Sequence, residues 1–269
     1  MNTLNLADCL NAAIEAAHLG AARLEHWRKR FVVQEKSRAN LVTEADKDSE
    51  NTIRDFLLQR FPDHLFVGEE ESFGKNVEQI RLPSDTPPAW IVDPLDGTIN
   101  YAHDVPAYCV SIGLWYQGKP VVGVIYDPRL KELFTAATGQ GAFLNGEPIH
   151  VSNTVELGKA LLSTGFPSDW EKQKRNLRVW ELVSQHSRSI RRTGSTALNL
   201  AYLACGRYDG YWAYDNWPWD VTAGAVLVQE AGGIVQTSEG KLFDPFRMDM
   251  CATNGPIQEE LLKLVNVLS

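Results

Sequence analysis

Trp90-Ile91-Val92-Asp93-Pro94-Leu95-Asp96-Gly97-Thr98 is the stretch on which the reading of this chain turns. Three apolar residues predict a short buried strand running into Asp93. Pro94 fixes the backbone as the chain leaves it. Asp96 follows, and Gly97-Thr98 lead into a helix start. Two carboxylates gathered at a strand end repel unless a cation sits between them. Oxygen donors of this kind suit Mg²⁺, Mn²⁺ or Ca²⁺. Free N–H groups at Gly97 and Thr98 suit a phosphate. A plainer account stays open, a turn in which both Asp side chains cap local backbone.

Working outward, three more segments carry acids at element ends. Phe66-Val67-Gly68-Glu69-Glu70 is an apolar strand ending in two carboxylates, or else the head of a solvated charge run that Glu71 continues. Trp217-Pro218-Trp219-Asp220-Val221-Thr222-Ala223-Gly224 puts Asp220 at the start of an apolar helix, where an N-cap is the ordinary explanation. Thr43-Glu44-Ala45-Asp46 reads equally as a capping-box-like helix start.

The surrounding pattern mixes helices and strands. Residues 4–29 predict an amphipathic helix, with Leu6, Leu10, Ala13, Ile14, Ala17 and Ala21 at helical spacing. Phe31–Val33 reads as extended. A second helix starts after Thr43, carries Ile53, Phe56, Leu57 and Phe61, and stops before Pro62. Leu65–Val67 predicts a buried strand, and residues 72–88 a loop or lid. Cys109–Tyr116, Val121–Tyr126 and Glu132–Ala136 predict an antiparallel meander, followed by a hairpin punctuated at Gly139–Gly141 and Asn145–Gly146. Beyond residue 150 come a strand at Leu161–Ser163, helices at 169–187 and Thr196–Cys205, and a strand at Tyr208–Tyr214. A helix at Trp219–Ala231, a strand at Ile234–Thr237 and a helix at 257–268 complete the chain. This is an α/β (α+β) pattern. No linker separates independent domains, so residues 1–269 read as one unit whose halves, 1–150 and 151–269, share a cleft.

Composition sets outer bounds. The 269 residues carry 34 acids against 26 bases, with 44% hydrophobic and 22% charged residues. That excludes a disordered tail, a collagen-like fibre and a disulfide scaffold. A net charge of −8 argues against non-specific nucleic-acid or membrane-surface binding. Six of the acids, Asp46, Glu69, Glu70, Asp93, Asp96 and Asp220, lie in the four motifs, and the rest of the chain is close to neutral. Cys9, Cys109, Cys205 and Cys251 are far apart and read as reduced thiols of a cytoplasmic protein. His18 and His26 are eight apart, too far for an i,i+4 ligand pair. No apolar run is long enough for a membrane span, and the N-terminus lacks a signal-peptide pattern.

The haloacid-dehalogenase phosphatases carry an Asp-x-Asp-Gly-Thr pattern on their first strand. Here the acids are three apart and well inside the chain, which argues against that family. The four motifs together resemble the inositol monophosphatase family, the Mg²⁺-dependent, lithium-sensitive phosphomonoesterase superfamily that includes fructose-1,6-bisphosphatases and bisphosphate nucleotidases. An acid after a Thr, Gly-Glu-Glu, Asp-Pro-Leu-Asp-Gly-Thr and Trp-Asp-x-x-Ala-Gly occur in the family's order, from about Lys36 to Gly233. The resemblance implies a layered αβαβα sugar-phosphatase fold and a homodimer.

It further implies that Glu69, Asp93 and the Leu95 carbonyl hold one Mg²⁺, and that Asp93, Asp96 and Asp220 hold a second. Each site would take two Mg²⁺, or three, with Mn²⁺ able to substitute. Asp46 and Thr98 resemble the pair that orients the attacking water, with Glu70 beside them. Gly97 and Thr98 resemble the phosphate cradle. Gly194, Ser195 and Thr196 fall where the family contacts the organic part of the substrate, and Glu69, Leu95, Asp96 and Asp220 border the same substrate. Lys36 lies in a segment that forms a mobile loop in the family.

The implied chemistry is direct attack of metal-activated water on a small phosphorylated metabolite, with no side-chain nucleophile. A polyol phosphate, inositol 1-phosphate first, is the expected substrate. Histidinol phosphate, fructose 1,6-bisphosphate and a nucleotide 3′-phosphate are the alternatives. Members that favour inositol phosphate carry a Glu seven residues before the helix-start Asp, and here that position is Ala213. Asp215 and Asn216 are close by. Trp212, Tyr214, Trp217 and Trp219 surround it, as packing or as a binding rim. A reading of a different class is a non-catalytic relative that binds metal or a partner protein. Retention of every expected acid speaks for the enzyme.

Overall fold

The computed structural model describes residues 4–28, 30, 33–37 and 40–266, with the stretch 33–43 as backbone alone. The first helix, α1, spans Leu6–Trp27, and the Asn5 side chain caps it on the Asp8 amide at 3.2 Å. Its buried stripe is Cys9, Ala12, Ala13, Ala16, Ala17, Gly20, Ala21 and Leu24. Side chains this small let a neighbouring helix come close. The chain then forms a two-stranded antiparallel ribbon, β1 (Val33–Ser37) and β2 (Asn40–Thr43), and enters α2 (Glu44–Arg60). The extended reading of Phe31–Val33 holds at Val33, while its first two residues and the side chain of Lys36 fall outside the described residues.

The first large sheet follows. Its elements are β3 (Leu65–Gly68), α3 (Val77–Ile80), β4 (Ala89–Asp96), α4 (Thr98–Ala102), β5 (Cys109–Tyr116), β6 (Lys119–Asp127), β7 (Glu132–Ala137), β8 (Ala142–Leu144) and β9 (Glu147–Ile149). The seven strands lie in chain order. β3 pairs parallel with β4, and every later pairing is antiparallel. The meander and its hairpin are as the turn residues predict. The stretch 72–88 is not wholly loop, because Asn76 and Gln79 cap each other reciprocally and nucleate α3.

The second sheet comes from β10 (Leu161–Thr164), α5 (Trp170–Ser184), β11 (Ser189–Arg191), α6 (Thr196–Ala204), β12 (Gly210–Tyr214), α7 (Pro218–Glu230), β13 (Ile234–Gln236), β14 (Asp249–Thr253) and α8 (Gln258–Val265). Its order is β11-β10-β12-β14-β13, parallel on one side of β12 and antiparallel on the other. β11 and β14 are additions to the sequence reading.

Strand alternation sorts the elements into layers. Val110, Ile112 and Leu114 of β5 face α1 and α2, whereas Cys109 faces α6 and α7. On β12, Tyr211 and Ala213 face α6 and α7, while Trp212 and Tyr214 face α5 and α8. The order is therefore α1/α2, seven-stranded sheet, α6/α7, five-stranded sheet, α5/α8. This is the expected α/β architecture of five layers. α7 lies in the middle layer and is buried from Pro218 to Val228 except at Asp220. An apolar surface all round is what a central helix requires.

Two glycines set how deeply α7 sits. A Cβ on Gly113 of β5 would lie 2.4 Å from the Thr222 methyl, and one on Gly123 of β6 would lie 2.3 Å from the Ala223 carbonyl oxygen. The second obstacle is backbone and cannot rotate away. Gly123→Ala is expected to cost about 2–3 kcal/mol of stability. Denaturant unfolding of the variant checks this, and a loss below about 0.5 kcal/mol would show that α7 is free to shift.

Candidate active site

β4 does not end at Asp93 as the sequence reading has it. It continues to Asp96 through a bulge, since Asp93 pairs with Ser111 but Asp96 pairs with Cys109. Three steps on β4 thus match two on β5, which is one extra residue. Pro94 lies in that interval, where a missing N–H costs the ladder nothing. The bulge has a geometric result. Residues three apart on a regular strand face opposite sides. Here both acids face the middle helix layer. The Ser111 hydroxyl donates to the Trp219 carbonyl on α7 at 3.3 Å, and the Asp96 carboxylate reaches the N-terminus of α6.

Each acid is anchored by one oxygen. Asp93 Oδ1 accepts from the Leu95 amide at 2.9 Å. Asp96 Oδ2 accepts from the Ser195 hydroxyl at 2.7 Å and the Ala197 amide at 2.6 Å. Ser195 is also the cap of α6, accepting from the Leu198 amide. Asp220 is the third residue of α7, and its Oδ2 accepts from the Trp217 amide at 2.8 Å. Asp220 is thus not the N-cap, which is Trp217, but it caps back onto that residue's amide, and its other oxygen is uncommitted to that bond.

After Asp96 the backbone turns at Gly97, where φ is 101° and a Cβ would lie 2.8 Å from the Ala107 carbonyl oxygen. The turn delivers Thr98 to α4. Its hydroxyl lies 3.3 Å from Asp46 Oδ1 and 3.1 Å from the Leu95 carbonyl oxygen. The Asn100 amide donates to the Thr193 carbonyl at 2.9 Å, tying this turn to the loop that holds Gly194.

These parts border a cleft of about 640 Å³. Of the residues singled out in the sequence, Glu69, Gly97, Thr98, Gly194, Ser195, Thr196 and Asp220 line it. Asp46, Asp93, Leu95 and Asp96 are buried behind the wall, and the Glu70 side chain is not part of the lining. The outer cleft adds Phe166, Lys172 and Arg192, which the sequence reading did not single out. Lys172 pairs with Asp215 at 2.8 Å, and Arg192 lies over the Phe166 ring at 5.0 Å. Ala213 is fully buried, whereas Asn216 lines the cleft with its Nδ2 lacking a partner in the protein. Of the aromatic residues nearby, Trp212 is core packing. Trp217 and Trp219 stack with ring centres 5.0 Å apart and form part of the wall with Tyr214.

The electrostatics follow from burial. Burial raises Asp93 well above the ordinary carboxylate range, and Glu69, Asp96 and Asp220 raise it further by repulsion. Asp220 is pushed up to about 8 by burial and by Asp96. Asp96 rises to about 6 through burial, held back by its bonds to Ser195 and the α6 amides. The donor set, carboxylates that disturb one another in a dry site, fits a hard divalent cation. Among the described residues, no three His, Cys, Asp or Glu side chains stand grouped as a ready-made metal cage.

The chain matches the model of the inositol monophosphatase family over residues 5–268. It belongs to that family. It is 44% identical over 260 residues to an inositol-1-monophosphatase of Synechocystis sp., covering 96% of this chain and 88% of that one. It is 40% identical to an inositol monophosphatase structure from Anabaena (Nostoc) sp., with a TM-score of 0.85 over 97% of this chain and 96% of that one. It is also 39% identical over 237 residues to a protein of Pseudomonas aeruginosa named Nus factor SuhB, covering 86% of each. Membership makes the chain a phosphoric monoester hydrolase by class and a family member with general dependence on metal. Among the described residues no helix is long and apolar enough to cross a membrane.

The raised acids give a pH signature. Folded Asp93, Asp96 and Asp220 hold protons that the unfolded chain releases above 3.8. Stability without metal therefore falls as pH rises from that value, with the Asp96 share lost by about 6 and the Asp220 share by about 8, and Asp93 acting in the same direction. After chelation, the melting temperature is expected to be lower at about pH 8.5 than at about pH 5, and added Mg²⁺ to raise it more at the higher pH. Equal Mg²⁺ shifts at both would contradict this.

Proposed function

We propose that the chain is a Mg²⁺-dependent phosphomonoesterase acting on a small polyol phosphate, with inositol 1-phosphate the first substrate to try. The observation that carries this is the placement of Glu69 and Asp220 in the wall of one cleft with Asp93 and Asp96 buried beside it, an arrangement in which the other three acids repel the charge of Asp93. Glu69, Asp93 and the Leu95 carbonyl would hold one ion, and Asp93, Asp96 and Asp220 a second. A divalent cation held there supplies Lewis-acid polarisation of the phosphate and a lowered pKa for bound water.

The chain's own groups do the rest. The Thr98 hydroxyl donates to Asp46 Oδ1, so a proton taken up at Thr98 Oγ1 has an onward acceptor. Asp46 is buried and lies outside the proposed ligand set. Glu70 sits next to Glu69, within the proposed water-orienting group. Gly97 and Thr98 border the cleft as the phosphate cradle, and Gly194, Ser195 and Thr196 border the alcohol part. The unpartnered Asn216 amide is a further donor for an oxygen of that alcohol. The four cysteines are all free, which supports a reducing, cytoplasmic setting, and a homodimer is the family expectation that sedimentation would test. One relative carries the name of a Nus factor, but the retention of the whole acid set in this chain favours catalysis.

A phosphate-release screen over inositol 1-phosphate, histidinol phosphate, fructose 1,6-bisphosphate and adenosine 3′,5′-bisphosphate is the direct test. Mg²⁺-dependent release from at least one is expected, and none with either Mg²⁺ or Mn²⁺ would end the enzyme reading. Asp93→Asn is expected to lower kcat by about a thousandfold or more while the chain stays folded. A variant with ordinary turnover would remove Asp93 from the centre of the site. Millimolar Li⁺ is expected to inhibit, and full activity in its presence would speak against the second ion site.

A further inference from the structure

Glu50 is a buried carboxylate that the mechanism above does not use. It lies on α2 at 3% exposure, with no Lys or Arg ion-paired to it among the described residues. Both of its oxygens are committed to one turn. Oε2 accepts from the Glu70 amide at 2.7 Å, and Oε1 accepts from the Glu71 amide at 2.8 Å. The fit is close, because a Cβ on Gly68 would lie 2.3 Å from Oε2. Burial drives the Glu50 carboxyl up to about 7 despite these two bonds, so keeping it there costs stability.

The neighbours of Glu50 on α2 reach the other acidic segment. Ser49 donates to the Pro94 carbonyl at 3.1 Å, inside the bulge between Asp93 and Leu95. Asp46 accepts from Thr98 at 3.3 Å. Positions 46, 49 and 50 are three and four apart, so they occupy one helix face. One rigid face thus touches the 68–71 turn, the bulge and the start of α4.

We propose that Glu50 is a positioning residue that holds the Glu69–Glu70 turn at a set distance from the Asp93–Asp96 bulge, with α2 as the gauge between them. This rests on the metal-site reading of Glu69 and Asp93. The role explains why a carboxylate is retained. Two consecutive amides need two acceptors pointing the same way, and a glutamine offers one acceptor and sets its NH₂ against an N–H.

Glu50→Gln is nearly isosteric, and loss of the buried charge offsets part of the cost of setting an NH₂ against an N–H, so the variant is expected to fold with a melting temperature only a few degrees below that of the parent. Its affinity for Mg²⁺ alone, titrated calorimetrically without substrate, is expected to fall by about 10–100-fold. Phosphate release should then need correspondingly more Mg²⁺ and recover most of kcat at saturation. Ile53→Val is the control, since it loosens the buried packing of α2 without touching the turn. Parental Mg²⁺ affinity in Glu50→Gln, or an equal loss in Ile53→Val, overturns the proposal. A parent chain that binds no Mg²⁺ instead overturns the metal-site reading, and this inference with it.

Discussion

Carboxylates kept out of water and within reach of one another are the constraint around which this molecule is built. Desolvation and repulsion both act against their charged forms, and the fold answers with rigid anchors rather than with nearby bases. Asp93 leans on the Leu95 amide, Asp96 on the cap of α6, and Asp220 on the first turn of α7. The anchors come from different elements, so the site exists only once both sheets and the middle helix layer are in place. The close seating of α7 on Gly113 and Gly123 belongs to the same requirement, because it sets the depth at which Asp220 enters the cleft.

Much of this is written in local pattern. The meander is legible because its strands alternate and its turns fall at Gly118 and Asp127-Pro128. α7 is legible as an apolar run closed by Gly232-Gly233. The acidic motifs are legible because acids at the ends of apolar strands are rare unless used. β14 is harder to see. Asp249–Thr253 contains Met, Cys and Ala, none of which signals a strand strongly, yet it lies between β12 and β13 and is buried from Met250 onward. Its strand character comes from its partners rather than from its own residues. β11 is short and partly exposed at an edge, where pattern is weakest.

The site shows the same division. That several acids belong together can be read from the chain, whereas how they are held cannot. Glu50 looks like one more charge in a polar helix, and only the approach of the 68–71 turn makes it special. Asn216 and Arg192 gain meaning only from a cleft whose walls come from both sheets. The step from Asp93 to Asp96 is the sharpest case. Sequence alone suggests a strand that stops, and pairing shows a strand that continues with one residue to spare.

That spare residue has an evolutionary corollary. Face and spacing on a strand obey a parity rule: even separations share a side, and odd ones do so only across a bulge. A pair of acids two apart can sit on a flat strand, but a pair three apart commits the chain to an irregularity and to a residue such as Pro94 that tolerates it. Point substitutions at Pro94 leave the count intact and test only its stiffness. An insertion or deletion between the acids changes the parity itself, and survives only if the bulge is gained or lost in the same step. The length of this segment therefore decides where the two acids point, whereas the identity of its middle residues decides only how stiffly they are held.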